Sequence, residues 1–126
     1  MGILDFIKVE KPKSASVEDP IAGYQLTDLY KDIKVDRNSV IPEGTQIGSR
    51  LVLIHNAADK YTNENIALML VPQRKIFGYI NDDKAFKHIV YSLKQSDQVV
   101  ARISYFSKKK YENEATVNIA FFKKTK

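Results

Sequence analysis

Residues 65–93, NIALMLVPQRKIFGYINDDKAFKHIVYSL, restrict the fold more than any other part of the chain. Residues 66–71 are apolar without alternation. Such a run suits a strand buried on both faces or closed inside a small barrel. Ala67, Leu68 and Met69 also favour helix, but Pro72 closes the run at about seven residues, which is short for a helix. Residues 75–80 (KIFGYI) read as the next strand, and Gly78 within it marks a bulge, a bend or a close backbone approach. Asn81, Asp82 and Asp83 then supply an N-cap and negative charge for a helix start. Ala85, Phe86, Ile89, Val90 and Leu93 mark one face at helical spacing. Lys84, Lys87, His88, Tyr91 and Lys94 fall on the other, expected to face solvent.

Strand patterns continue on both sides of this block. Residues 24–30 (YQLTDLY) have strand character, and a short strand is expected around Ile33 and Val35. A wide loop with Pro42, Gly44 and Gly48 follows, then an apolar strand over 50–55 (RLVLIH) and a polar loop, NAADKYTNE. Residues 99–106 alternate, with Val99, Ala101, Ile103 and Tyr105 on one face and Val100, Arg102, Ser104 and Phe106 on the other. Residues 116–122 alternate again, so the two strands form a hairpin with a long charged loop. The expected fold class is α+β, mainly β: a small rolled sheet or β-barrel with one helix inserted before the final hairpin.

The 126 residues allow one domain. Residues 1–20 read as an N-terminal segment and linker, since a small apolar cluster (Ile3, Leu4, Phe6, Ile7) is followed by the Pro- and Ser-containing KVEKPKSASVEDP. Residues 21–126 form the domain. The apolar start is too short for a signal-peptide core, and Phe6 stands where a myristoylation motif has Ser or Thr. No run reaches the roughly 20 apolar residues of a transmembrane helix. Cysteine is absent, which excludes disulfides, thiolate chemistry and Cys-based zinc sites, and suits the cytoplasm.

No catalytic constellation stands in the sequence. The two histidines, His55 and His88, have no recognisable partner spacing. P-loop, dinucleotide and calcium-loop patterns are missing, so an enzyme, a metal and a cofactor are not expected. Asp82 and Asp83 could coordinate a hard cation or simply cap the helix. The formal net charge is +5 and the pI about 9.3, which admits anionic partners. Lys108, Lys109 and Lys110 lie between Phe106 and Tyr111. Lysines beside aromatics can neutralise phosphates and stack bases, or form a solvated loop that protects a sheet edge. The face with Arg102, Ser104 and Phe106 could line a groove for bases or pack under the N-terminal segment.

The central block resembles the HIRAN domain, a small β-barrel module found alone in bacteria and fused to DNA-repair helicases elsewhere. The similarity covers roughly residues 47–122. It rests on LVLI at 51–54, YTNE at 61–64, NIAL at 65–68, IFGYI at 76–80 and the helix from Asp83. The resemblance implies binding of single-stranded DNA, in some members at a free 3′ end, without chemistry. It places Asn63 at the motif's Asp, Tyr61 or Thr62 near its Tyr, Tyr79 at the aromatic or His after the Gly, and Phe106 at a strand-end aromatic that stacks on a base. The family's Pro and Asp are missing from the first loop, and Asn63 can hydrogen-bond there but brings no negative charge. With Arg102 from the strand pattern and Lys108, Lys109 and Lys110 from the basic run, these residues make up the expected site. The expected partner is nucleic acid. The alternative is a protein partner taken by the N-terminal segment or a sheet edge.

Overall fold

The computed structural model describes residues 20–71, 73–109 and 112–125. Its elements follow in the order β1 (Tyr24–Arg37), β2 (Arg50–Asn56), β3 (Asn65–Leu70), β4 (Lys75–Ile80), α1 (Asp83–Lys94), β5 (Gln98–Phe106) and β6 (Glu114–Lys124). The six strands close into a barrel, β1-β4-β3-β2-β5-β6, with all neighbours antiparallel. Among the described residues, the mainly β architecture with one helix before the last hairpin is as the sequence implies. The N-terminal cluster of residues 3–7, Lys110 and Tyr111 lie outside the described residues. No described helix is long and apolar enough to cross a membrane.

One core fills the barrel. Leu51, Ile66, Leu68, Phe77, Val117, Ile119 and Phe121 point inward and are fully buried. Burying each such side chain contributes about 1.5–3 kcal/mol. Ala85 and Ile89 of α1 join the same cluster, with Phe86, Val90 and Leu93 packed against it. The helix starts where expected: Asp82 is the N-cap and its Oδ1 accepts from the Ala85 N–H at 2.9 Å. A satellite cluster of Val100, Ala120 and Phe122 sits on the outer surface, beneath Ile21, Tyr24 and Leu29.

Irregularities in the ladder decide several side-chain directions. The two short strands expected at residues 24–35 are one strand, β1, whose pairing with β6 shifts between Leu26 and Asp28 and again between Tyr30 and Ile33. Asp32, at φ 54, marks the second shift. These bulges absorb the breaks in alternation that read as a strand end. In β4, pairing with β3 shifts between Leu68 and Met69, so Phe77 and Gly78 oppose one step of the partner. Gly78 permits this contact: a Cβ there would lie 2.5 Å from the Asp36 carbonyl oxygen and 2.7 Å from Val35 Cγ1.

The third irregularity corrects the expected faces of β5. Its pairing with β6 shifts between Ile103 and Tyr105. Beyond Ser104 the alternation inverts, because one extra residue moves every later side chain to the opposite face. Phe106 therefore joins Ala101 and Ile103 in the core at 7% exposure and meets Phe77 edge-on, with ring centroids 6.1 Å apart. Tyr105 faces outward at 43% exposure.

His88 also departs from expectation. It is only 26% exposed and stacks on Phe121 at 3.9 Å between ring centroids. The Tyr30 hydroxyl and His88 Nδ1 are hydrogen-bonded at 2.8 Å. Helical spacing places His88 beside the apolar face, and the long β1 strand brings Tyr30 over it.

Candidate nucleic-acid interface

Antiparallel order gives the barrel two distinct ends. The β2–β3 loop (residues 57–64), the start of α1 and the start of β5 share one end. The loop of residues 38–49, the β3–β4 turn and the β5–β6 connection share the other.

At the first end, Asp59 organises the β2–β3 loop. Its Oδ1 accepts from the Tyr61 and Thr62 N–H groups at 2.8 Å each and from the Thr62 hydroxyl at 2.9 Å. These bonds hold the Asp59 carboxyl below its ordinary pKa, the Tyr61 N–H contributing most. The turn presents Tyr61 at 85% exposure, with Lys60 Nζ 5.7 Å from the ring centroid. The chain then enters β3 through Asn63, Glu64 and Asn65. Asn65 accepts from Asn56 Nδ2 at 2.8 Å and donates to the Asn63 carbonyl at 3.2 Å. Glu64 Oε2 lies 2.5 Å from His55 Nε2.

Facing this loop is the junction of β4 and α1. The Asn81 N–H donates to the Lys34 carbonyl at 3.0 Å, and Asn81 Nδ2 donates to Asp36 Oδ1 at 2.9 Å. Between loop and junction lies a cleft of about 460 Å³. The amides of Asn63, Asn65 and Asn81 and the carboxylates of Glu64, Asp82 and Asp83 line it, over Ile80 and Phe86. A larger hollow of about 830 Å³ lies at the other end, under Val40, Ile41 and Pro42. It contains none of the expected site residues, and its lining mixes Val40, Ile41, Pro42 and Ile76 with polar side chains.

The expected site is thus divided. Asn63 lines the cleft, whereas Tyr61, two residues before it in the same loop, is not among the lining residues. Tyr79 lies half-buried on the adjoining outer wall, opposite Ala67 and Asp36. Arg102 is on the outer wall toward the far end, opposite Arg50 on one side and Asn118 on the other. Phe106 is in the core and cannot stack on a ligand. Lys108 and Lys109 are exposed at the end opposite the cleft, where Lys109 Nζ is 3.6 Å from Glu112 Oε1. Lys110 lies outside the described residues. Sequence reasoning did not single out Asn65 and Asn81, which line the cleft. Asn81 and Asp82 were legible only as a helix cap, although a cap at a barrel mouth also lines whatever opens there.

Among the described residues, no three His, Asp or Glu side chains are grouped to hold a metal ion. Compared with protein-family models, curated proteins and solved structures, the chain matches none.

Proposed function

We propose that the protein is a non-catalytic module that binds a single nucleic-acid strand, single-stranded DNA or a DNA end, at the cleft between the β2–β3 loop and the start of α1. The observation that carries this reading is the convergence of Asn63, Asn65 and Asn81 in the cleft, with the exposed Tyr61 on the same loop as Asn63. The segment that carries Tyr61, Asn63 and Asn65 is also the one that resembles the HIRAN motif. Side-chain amides both donate and accept, so three of them can read a base edge. An exposed aromatic offers a stacking surface worth about 1–3 kcal/mol per base.

The carboxylates refine the ligand. Glu64, Asp82 and Asp83 repel a phosphate placed in the cleft. They accept hydrogen bonds from a sugar hydroxyl. The cleft is suited to a strand terminus with a free hydroxyl, with the remaining phosphates outside it near Lys60, Lys84 and Arg102. Lys108 and Lys109 would meet only a strand that runs the length of the barrel. A reducing compartment, the cytoplasm, fits the cysteine-free chain.

Fluorescence anisotropy with labelled oligothymidylate at several salt concentrations tests this. Binding should weaken steeply with salt. Asn63→Ala and Tyr61→Ala should each lower affinity by roughly tenfold, about 1.4 kcal/mol, without changing the melting temperature, since both side chains are exposed. Absence of binding at low salt contradicts the proposal.

A protein partner is the second reading. Register pairs between β2 and β5 stop at Leu51 and Ala101, so the β5-facing edge of β2 beyond Leu51 is open to an added strand. Pull-down with Val52→Lys tests it: a partner captured by the wild type and lost in the variant supports this reading.

A further inference from the structure

Arg50 and Arg102 stand directly opposite each other across β2 and β5. Arg50 is exposed and has no hydrogen-bond or ion-pair partner among the described residues. Arg102 is half-buried, and its Nη1 donates to the Gly48 carbonyl at 3.0 Å, which fixes the guanidinium against the wall. Two guanidinium forks side by side match the oxygens of one phosphate.

The wall that leads from this pair to the cleft is unusual for a water-facing sheet. Outward residues of β2 after Arg50 are Val52, Ile54 and Asn56. Their partners on β3 are Met69, Ala67 and Asn65, with Tyr79 of β4 next to Ala67. Val52 is 40% exposed, and Ile54, Met69 and Tyr79 are half-buried. A sheet face toward solvent ordinarily carries polar residues at these positions. Here an apolar ledge with one aromatic runs between two arginines and the hydrogen-bonded pair Asn56–Asn65, which opens into the cleft.

We infer that this outer wall of β2 and β3 is a track for a single nucleic-acid strand, with one phosphate held between Arg50 and Arg102, bases lying on the Val52–Met69–Tyr79 ledge, and the terminus in the cleft. The inference rests on the proposed function and adds a path and a polarity to it. Charge selects the occupant: the cationic pair is at one end only, the carboxylates are at the other, and a strand with a hydroxyl end and internal phosphates complements both. From Arg50 to Asn56 the track measures about 20 Å at roughly 3.3 Å per residue. That accommodates about four nucleotides, the short end of the range used by small nucleic-acid-binding barrels.

The test uses oligothymidylates of increasing length with a 3′-hydroxyl. A dinucleotide reaches only the cleft. Affinity should rise abruptly, by about tenfold, once the strand reaches the arginines at about four nucleotides. In Arg50→Gln that step should vanish, and the slope of log affinity against log salt for an octamer should fall by about 0.7. Dinucleotide binding should be unchanged, and Arg50→Lys should restore the slope. Because Arg50 is exposed and faces a like charge, Arg50→Gln should melt no lower than the wild type. A dinucleotide that binds with no step at any length, or an unchanged slope in Arg50→Gln, overturns the track and leaves the cleft standing. Loss of both dinucleotide and octamer binding overturns both. Polyglutamate competing as well as the octamer at equal ionic strength also overturns the track, as a surface for any acidic polymer.

Discussion

Gly78 is the residue at which the barrel tolerates least. β4 and β1 meet over only three register pairs, Val35↔Ile80, Asp36↔Tyr79 and Arg37↔Gly78. A methyl group at Gly78 would press on the Asp36 backbone at 2.5 Å, where no flexible side-chain tip can yield. Gly78→Ala should therefore lower stability by about 1–3 kcal/mol in urea unfolding. Phe106 and Tyr105 give a paired test at the same scale. Phe106→Ala should cost about 3–5 kcal/mol because it empties a core position against Phe77. Tyr105→Ala, on the outer face, should stay within roughly 0.5 kcal/mol. Equal effects would contradict the inverted alternation after Ser104. Asp59 contributes a pH-dependent effect. Its carboxyl titrates lower in the folded loop than in the unfolded chain, so its stabilisation of the turn is present above the ordinary carboxylate range. It is lost as pH falls through the lowered value. The protection of the Tyr61 and Thr62 amides relative to their intrinsic exchange should fall there in the wild type, and should be low at all pH values in Asp59→Ala.

At the scale of elements, α1 was the most legible. Its cap, its first-turn acid Asp83 and its apolar face agree, and tertiary packing only reinforces them. Asp82→Ala should cost about 1 kcal/mol through the lost bond to the Ala85 amide, measurable as a lower urea midpoint. Strands β2 to β4 were legible for a related reason: short apolar runs ended by Pro or polar loops leave few alternatives. The faces of β1 and β5 were not. A bulge adds one residue without any change in composition, and only its partner strand reveals it. The reading of Phe106 as a surface stacker failed at this step, since strict alternation was carried across Ser104. His88 failed differently. Its helical position is at the margin of the apolar face, and the ring of Phe121 that covers it comes from more than thirty residues away in sequence.

On the scale of the whole molecule, the closed antiparallel order separates residues that the sequence places in one hypothetical site. Lys108 and Lys109 leave the cleft for the opposite end, and Arg50 enters beside Arg102. Such separation depends on which end each connection occupies, and no local pattern encodes that. What the sequence did carry is the short run Tyr61 to Asn65, of which Asn63, Glu64 and Asn65 form one wall of the cleft. The resulting surface is polarised, with amides and carboxylates at one end of an apolar ledge and two arginines at the other. On the proposed function, such a surface would discriminate strand ends by charge. The most direct measurement compares two octamers of identical sequence, one ending in a 3′-hydroxyl and one in a 3′-phosphate, at the same low salt. The account predicts that the hydroxyl-ended strand binds at least about tenfold more tightly, about 1.4 kcal/mol, and that Asp83→Asn, which removes one of the repelling carboxylates, reduces the difference. Equal affinities, or a preference for the phosphate, would contradict it.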